Sequence, residues 1–216
     1  MWSCLPDDKR TVHPIFRQLN SDKAVITEIE NLLLPEEAAY LVNSGNQHGF
    51  KDSTVMRNGG HERDEQRTSR TSFLSKNSDP VVDCIGKRIA TLANQPMTHM
   101  EPMQVTDYTH KQEYRAHHDY FNDKKGKAER TTTVFAYLDE KNCSEKLCGG
   151  STTFHELKQL DGEPLRVFPK VGNAVMWSNR TPDGGLNSDT LHSGEKLTCK
   201  NAHKVGLNAW FRDQPW

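Results

Sequence analysis

His117 and Asp119 stand two apart in an aromatic-rich stretch, residues 114–121. On a β-strand, residues two apart point to the same face. An imidazole and a carboxylate can therefore converge on one ion from a single strand. His192, in the segment Thr190-Leu191-His192-Ser193-Gly194, is the candidate third ligand. Two His and one carboxylate on one side of an ion leave the opposite positions open, a set that suits non-haem Fe(II). His118 is the odd residue of the stretch and faces away from Asp119 in this geometry. A His-x-Asp pair also arises by chance in a chain with ten His, so the distant context has to support the site.

The elements that must position these residues begin with helices and end with strands. Residues 1–22 are polar, carry Pro6 and Pro14, and read as an extended arm or an added edge element. Residues 24–30 read as a strand. A helix opens at Pro35, with Glu36 and Glu37 complementing its dipole, and Gly45 or Gly49 ends it. Residues 51–66 are charged, contain Asn58-Gly59-Gly60, and read as a surface loop or as a lid over a groove. Residues 67–74 are strand-like. Asp79-Pro80 opens a second helix reaching about Asn94, with Val82, Ile85, Ile89 and Leu92 as its core stripe. From Glu101 onward the pattern is of short strands: 103–108, 113–121, 131–138, 150–154, 174–177, 190–192 and 203–212. Many short strands with turn residues between them suggest a jelly-roll or barrel, and helices followed by strands make one α+β unit.

Composition sets bounds on partners. A chain of 216 residues suits one domain with a proper core. A formal net charge of −1 gives no electrostatic pull towards nucleic acid or anionic membrane, and no apolar run approaches the roughly 18 residues of a membrane span. Residues 1–8 lack an apolar signal-peptide core. The expectation is an intracellular protein, or a secretory one whose leader is missing from this chain. The five Cys, at 4, 84, 143, 148 and 199, show no Cys-x-x-Cys spacing, which argues against a zinc ribbon. Cys143 and Cys148 share one polar loop and could bridge.

Several segments together match one pattern. They are Arg67-Thr68-Ser69; Glu101 with Gln104-Val105; Tyr108; Tyr114-x-x-His117-x-Asp119-Tyr120-Phe121; and Arg130-x-x-Thr133 leading to Tyr137-Leu138. Then come Gly149-Gly150-x-Thr152-x-Phe154, Pro169-x-x-Gly172-x-Ala174-Val175, His192, and Lys204 spaced by five residues from Trp210. In this order they resemble the prolyl 4-hydroxylase catalytic domain, a branch of the Fe(II)/2-oxoglutarate dioxygenases, over about residues 24–212.

The resemblance implies a double-stranded β-helix, or jelly-roll, with the N-terminal helices packed against one sheet. It implies an arm at 1–22 and a single domain over 23–216. It implies that His117, Asp119 and His192 bind Fe(II), that Lys204 binds the distal carboxylate of 2-oxoglutarate, and that Tyr108 and Thr152 hydrogen-bond this cosubstrate. Tyr114, Arg130, Glu101, Arg67, Ser69 and Trp210 fall where the family lines its peptide groove. O2 and ascorbate complete the implied cofactors. The implied reaction is 4-hydroxylation of peptidyl proline, with 2-oxoglutarate converted to succinate and CO2. The substrate is a proline-rich or collagen-like peptide, and the enzyme is a monomer or weak homodimer that binds neither nucleic acid nor membrane. Another 2-oxoglutarate hydroxylase, acting on lysine or on a free amino acid, shares the same triad. A jelly-roll binding module without the chemistry would not need the triad and Lys204 together.

A buried dicarboxylate needs a fixed cation at its far end, because an unpaired buried charge is costly, and a Lys on a strand supplies one. The chain departs from the family in having Ser151 and His155 where Glu and Pro are common. Its segment between His192 and Lys204 is longer than usual and carries Cys199 and Lys200. Lys200 competes for the cosubstrate role, and Lys204 is favoured for its preserved spacing to Trp210. His203 reads as a structural neighbour on the opposite face.

Overall fold

In the computed structural model the N-terminal residues form an edge element. β1 (Ile15–Asn20) pairs antiparallel with β2 (Ile26–Glu30), so part of the polar arm is a strand. The model describes the chain except residues 21, 58, 59, 63, 76, 78, 122–127 and 144–146. Helix α1 (Pro35–His48) starts where the Leu34 amide donates to the Glu37 carboxylate at 2.9 Å. It ends at Gly49, whose φ of +82° a side chain would disfavour. β3 (Lys51–Asp52), β4 (Val55–Arg57) and β5 (Gly60–Glu62) follow, with β4 and β5 paired as a hairpin. Of the segment 51–66, read as a surface loop or a lid, Asn58, Gly59 and Arg63 lie outside the described residues.

β6 (Arg70–Leu74) leads to α2 (Pro80–Leu92). The Asp79 carboxylate accepts from the amides of Val81 and Val82 at 2.7 and 3.1 Å, satisfying two of the free donors of the first turn. Next come β7 (Met103–Thr109), β8 (Tyr114–His117), β9 (Arg130–Lys141), β10 (Thr152–Lys158) and β11 (Pro164–Val167). β12 (Ala174–Ser178), β13 (His192–Gly194) and β14 (His203–Arg212) complete the chain.

The strands form a large sheet, ordered β1-β2-β12-β9-β14-β7-β6-β3, and a smaller one, ordered β11-β10-β13-β8. The pairings within both are antiparallel. Strand β9 shows how the core divides. Its residues alternate faces: Val134, Ala136 and Leu138 share one cluster of buried side chains with Leu41 of α1 and Ile85 of α2. Phe135 and Tyr137 point the other way, into a second cluster with Phe154 and Val167 of the smaller sheet and Trp177 of β12. That interior between the two sheets is the jelly-roll core, and the site lies on its strands.

The Cys143–Cys148 bridge that the shared loop left open does not form. Cys148 pairs with Cys199 and Cys4 with Cys84, while Cys143 is a buried free thiol. The reason is local. The Cys143 thiol points inward and donates to the His203 carbonyl at 3.1 Å, beside Tyr108 and Leu197. The Cys148 carbonyl instead accepts from the Thr198 amide at 3.0 Å, which draws it against Cys199.

Candidate active site

Sheet register brings the three candidate ligands together. β13 pairs with β8 so that His192 stands opposite His117, and Asp119 follows two residues after His117, just past the strand end. The strand expected over 113–121 is therefore shorter, and Asp119 reaches the site from a bend. The ligand atoms of His117, Asp119 and His192 all lie within 4.8 Å of one another. His117 Nδ1 sits 2.8 Å from the Arg115 carbonyl, and His192 Nδ1 sits 2.9 Å from the Thr190 carbonyl. A carbonyl only accepts, so each Nδ1 carries the proton and each Nε2 keeps its lone pair. Those Nε2 atoms face Asp119 at 3.6 and 3.8 Å. This is the tautomer that metal-binding His require, fixed by the partner of the other nitrogen. The donor set thus fits a divalent ion with open positions.

Electrostatics agree with that fit. Burial, with the neighbouring His117, lowers the His192 pKa to about 4, which keeps its imidazole neutral near neutral pH. Burial alone would raise the Asp119 pKa, but the two imidazoles and Arg130 outweigh it and hold the carboxyl well below its usual range. The Trp177 ring lies 4.7 Å from the His192 ring and walls the site from the interior.

Lys204 is 1% exposed. Its ammonium donates to the Gly150 carbonyl at 2.7 Å and lies 4.9 Å from the centre of the Tyr108 ring. Thr152 is close by through register: it pairs with Gly194, and a Cβ on Gly194 would stand 3.7 Å from Lys204 Nζ. Lys200 is exposed, on the surface loop, so the interior amine is Lys204. The reading of the residues alone missed Tyr137 as part of this end. Its hydroxyl donates to Thr152 Oγ1 at 2.9 Å, and it follows Thr133 by four residues with two-residue strand periodicity that could have flagged it.

The six expected groove residues fall into two groups and one outlier. Tyr114 stacks on His117 with ring centres 3.5 Å apart, and the Arg67 guanidinium lies 4.7 Å from the centre of the Tyr114 ring. Arg130 lies 3.8 Å from the Trp210 ring centre and donates two bonds to Glu101, each 2.8 Å. Arg212 donates to the same carboxylate at 2.7 Å, and together these cations overcome burial to hold Glu101 ionised. Ser69 is buried against the Ser53 hydroxyl at 2.8 Å. His118 is half-buried and bonds the Ser188 carbonyl, away from Asp119. His203 pairs with Asp107 at 2.8 Å and takes no part in the cluster.

Known proteins resemble this chain in both sequence and shape. Prolyl 4-hydroxylase 5 of Arabidopsis thaliana is 32% identical over 198 residues, covering 84% of this chain and 66% of that protein. The chain therefore spans just under two thirds of that relative's length. The viral collagen prolyl hydroxylase vCPH of Paramecium Bursaria Chlorella virus-1, solved as a 2OG complex, superposes with a TM-score of 0.67 at 24% identity. The match covers 87% of this chain and 95% of that one. A Trichoplax adhaerens prolyl hydroxylase, solved with a hypoxia inducible factor peptide, gives a TM-score of 0.64 at 16% identity, covering 87% and 83%. At these identities the two structures show a shared fold. No helix among the described residues is long and apolar enough to cross a membrane. The model of the 2OG-Fe(II) oxygenase superfamily matches residues 103–212, from the first strand of the site region to the end of the strand bearing Lys204, and to that superfamily this chain belongs.

Proposed function

We propose that this chain hydroxylates peptidyl proline at C4, consuming O2 and converting 2-oxoglutarate to succinate and CO2. One observation carries the reading. A His117/Asp119/His192 cluster stands two strand residues from a buried cation that no carboxylate of the described residues pairs with. His192 and Gly194 are separated by about 6.6 Å of strand, a span suited to a five-carbon diacid held at both ends. That the similar proteins are prolyl hydroxylases favours proline over lysine as the target.

Bound Fe(II), with 2-oxoglutarate and O2, supplies the oxidant that removes a hydrogen from the substrate carbon. The chain's residues do the rest. The two Nε2 atoms and the Asp119 carboxylate would hold the metal. Lys204 pairs with the far carboxylate, and the hydroxyls of Thr152 and Tyr137, with Tyr108, fix its orientation. Trp177 and Phe154 exclude water behind His192. The groove begins at Tyr114, whose ring already lies on His117. A proline-rich peptide enters such an aromatic groove at low ordering cost, being in polyproline II form beforehand. The Trichoplax neighbour's peptide supports a peptide substrate here. Ascorbate would be the reductant that keeps the metal ferrous. The two disulfides favour an oxidising compartment.

Incubating the protein with Fe(II), 2-oxoglutarate, ascorbate and panels of proline-rich and collagen-like peptides tests the reading by mass spectrometry. One added oxygen at proline C4 is expected. Oxygen added to lysine peptides or to free amino acids instead would overturn it.

A further inference from the structure

The strongest unexplained feature of the site is a chain of hydrogen bonds that leaves Asp119 on the side away from solvent. Thr133 Oγ1 donates to Asp119 Oδ2 at 2.8 Å, and Asn179 Nδ2 donates to Thr133 Oγ1 at 3.1 Å. Thr133 and Asn179 are both fully buried. The polarity of this chain is set by its end. An ionised carboxylate only accepts, so the Thr133 proton is committed to Asp119. The hydroxyl then has only lone pairs to offer, and the group facing it must be the Asn179 amide nitrogen rather than its oxygen.

The Asn179 backbone reaches the second ligand as well. Its carbonyl accepts from the Asn187 amide at 3.0 Å. The Asn187 carbonyl accepts from the Thr190 hydroxyl at 2.7 Å, and the Thr190 carbonyl in turn holds His192 Nδ1 at 2.9 Å. One residue just past β12 thus stands behind both Asp119 and His192.

Stability alone does not account for Asn179. Among the described residues its Oδ1 is buried without a hydrogen-bond partner, and a buried unpaired acceptor costs folding free energy. An apolar side chain of the same size would avoid that cost. We propose that Asn179, acting through Thr133, is a positioning residue that fixes the Asp119 carboxylate for metal binding at the cost of apoprotein stability. This rests on the metal-centre reading above.

The test uses the full chain, anaerobic Co(II) titration followed by the visible ligand-field bands, and thermal unfolding of the metal-free form. Thr133→Val, which keeps shape but removes the hydroxyl, is expected to weaken Co(II) binding about 10- to 100-fold. Thr133→Ser restores the hydroxyl and is expected to bind within about threefold of the parent, within the range of a retained outer partner. Asn179→Leu is expected to weaken binding about 3- to 10-fold, a fraction of the loss at Thr133, while the apoprotein Tm stays level or rises. A merely structural Asn179 cannot give that split. In the Thr133→Val background, Asn179→Leu is expected to add nothing, because the route to Asp119 is already cut.

Three results would overturn the proposal: Asn179→Leu binding Co(II) like the parent, Asn179→Leu lowering Tm and affinity together, or additive losses in the double variant. Should Thr133→Val not fold, Asn179→Leu and Thr133→Ser decide alone by the first two criteria. His192→Ala separates this from the reading beneath it. If the parent and His192→Ala bind Co(II) equally, the metal centre is misplaced and both ideas fall. If only His192→Ala loses binding, the centre stands and the Asn179 result speaks for itself.

Discussion

Lys204 donates to the Gly150 carbonyl at 2.7 Å and has no other hydrogen-bond partner among the described residues. A buried ammonium held by one neutral carbonyl is under-compensated, and burial lowers its pKa from 10.5 to about 8. Below pH 8 the folded state carries this cost in full. Between pH 8 and 10.5 the unfolded chain binds more protons than the folded one, so stability rises with pH. We expect Lys204→Met to stabilise the metal-free, cosubstrate-free protein by roughly 3 kcal/mol at pH 7 and to abolish 2-oxoglutarate binding. Urea unfolding at pH 7 and pH 10 checks it: the gain over the parent must shrink at the higher pH. A destabilised variant, or one that still binds 2-oxoglutarate, would show that the lysine is structural.

If Lys204 pairs with 2-oxoglutarate as proposed, the same group sets the pH dependence of cosubstrate binding. A bound carboxylate restores the charged form, so binding above pH 8 must take up a proton. Affinity for 2-oxoglutarate is expected to fall by about tenfold per unit as pH rises beyond 8, with proton uptake seen by calorimetry in buffers of different ionisation heat. Lys200→Ala, on the surface, is expected to leave both unchanged. A flat profile through pH 9 argues that another cation does the pairing.

His117 and Asp119 were legible from their two-residue spacing, although Asp119 sits just past the end of β8, and His192 and Lys204 from the resemblance, with the spacing of Lys204 to Trp210 as its anchor. The helices were legible from Pro35 and from the Asp79-Pro80 start, which are local signals. What was not legible is non-local. The arm reads as an extended arm or an added edge element, but the pairing of β1 with β2 and the register of that pairing are set between segments. The Cys148–Cys199 bridge spans 51 residues, and no spacing rule predicts such a pairing. Glu101 serving two arginines, and Asn179 standing behind two ligands, are relationships between distant segments that only the register of β9, β12 and β14 creates.

That bridge bears on the cosubstrate end. Cys148 precedes the two glycines whose second carbonyl holds Lys204, and Cys199 lies in the loop that packs over them. Gly149 and Gly150 have φ of +72° and +89°. A Cβ on Gly150 would meet Leu197 at 2.8 Å and Cys143 at 2.9 Å. The two loops therefore touch too closely to shift independently. Cys199→Ser is expected to weaken 2-oxoglutarate binding about 3- to 10-fold by loosening this contact, with Co(II) affinity unchanged. Mild reductant on the parent must reproduce the effect. Equal losses in metal and cosubstrate affinity would mean general unfolding instead.

The groove makes the sharpest separation between chemistry and recognition. Tyr114 lies on His117, and Arg130 is clamped between Trp210, Phe121 and Glu101. Two of the Arg130 nitrogens serve Glu101 and the third has no partner among the described residues; in the proposed groove it would donate to a peptide carbonyl and so fix which carbon faces the metal. Arg130→Ala removes that donor and the stacked plane beside Trp210. Tyr114→Phe keeps the ring on His117 and removes only the hydroxyl, whose pKa burial raises to about 12, so it stays a proton donor at working pH. Arg130→Ala is expected to cut peptide hydroxylation about 100-fold and Tyr114→Phe about 10-fold, the range for lost positioning contacts. Peptide-independent decay of 2-oxoglutarate should survive in both, because neither residue touches Lys204 or donates to the triad. Measuring succinate with and without peptide distinguishes the two rates. If both rates fall together, Arg130 and Tyr114 support the metal centre rather than the substrate, and the groove must lie elsewhere.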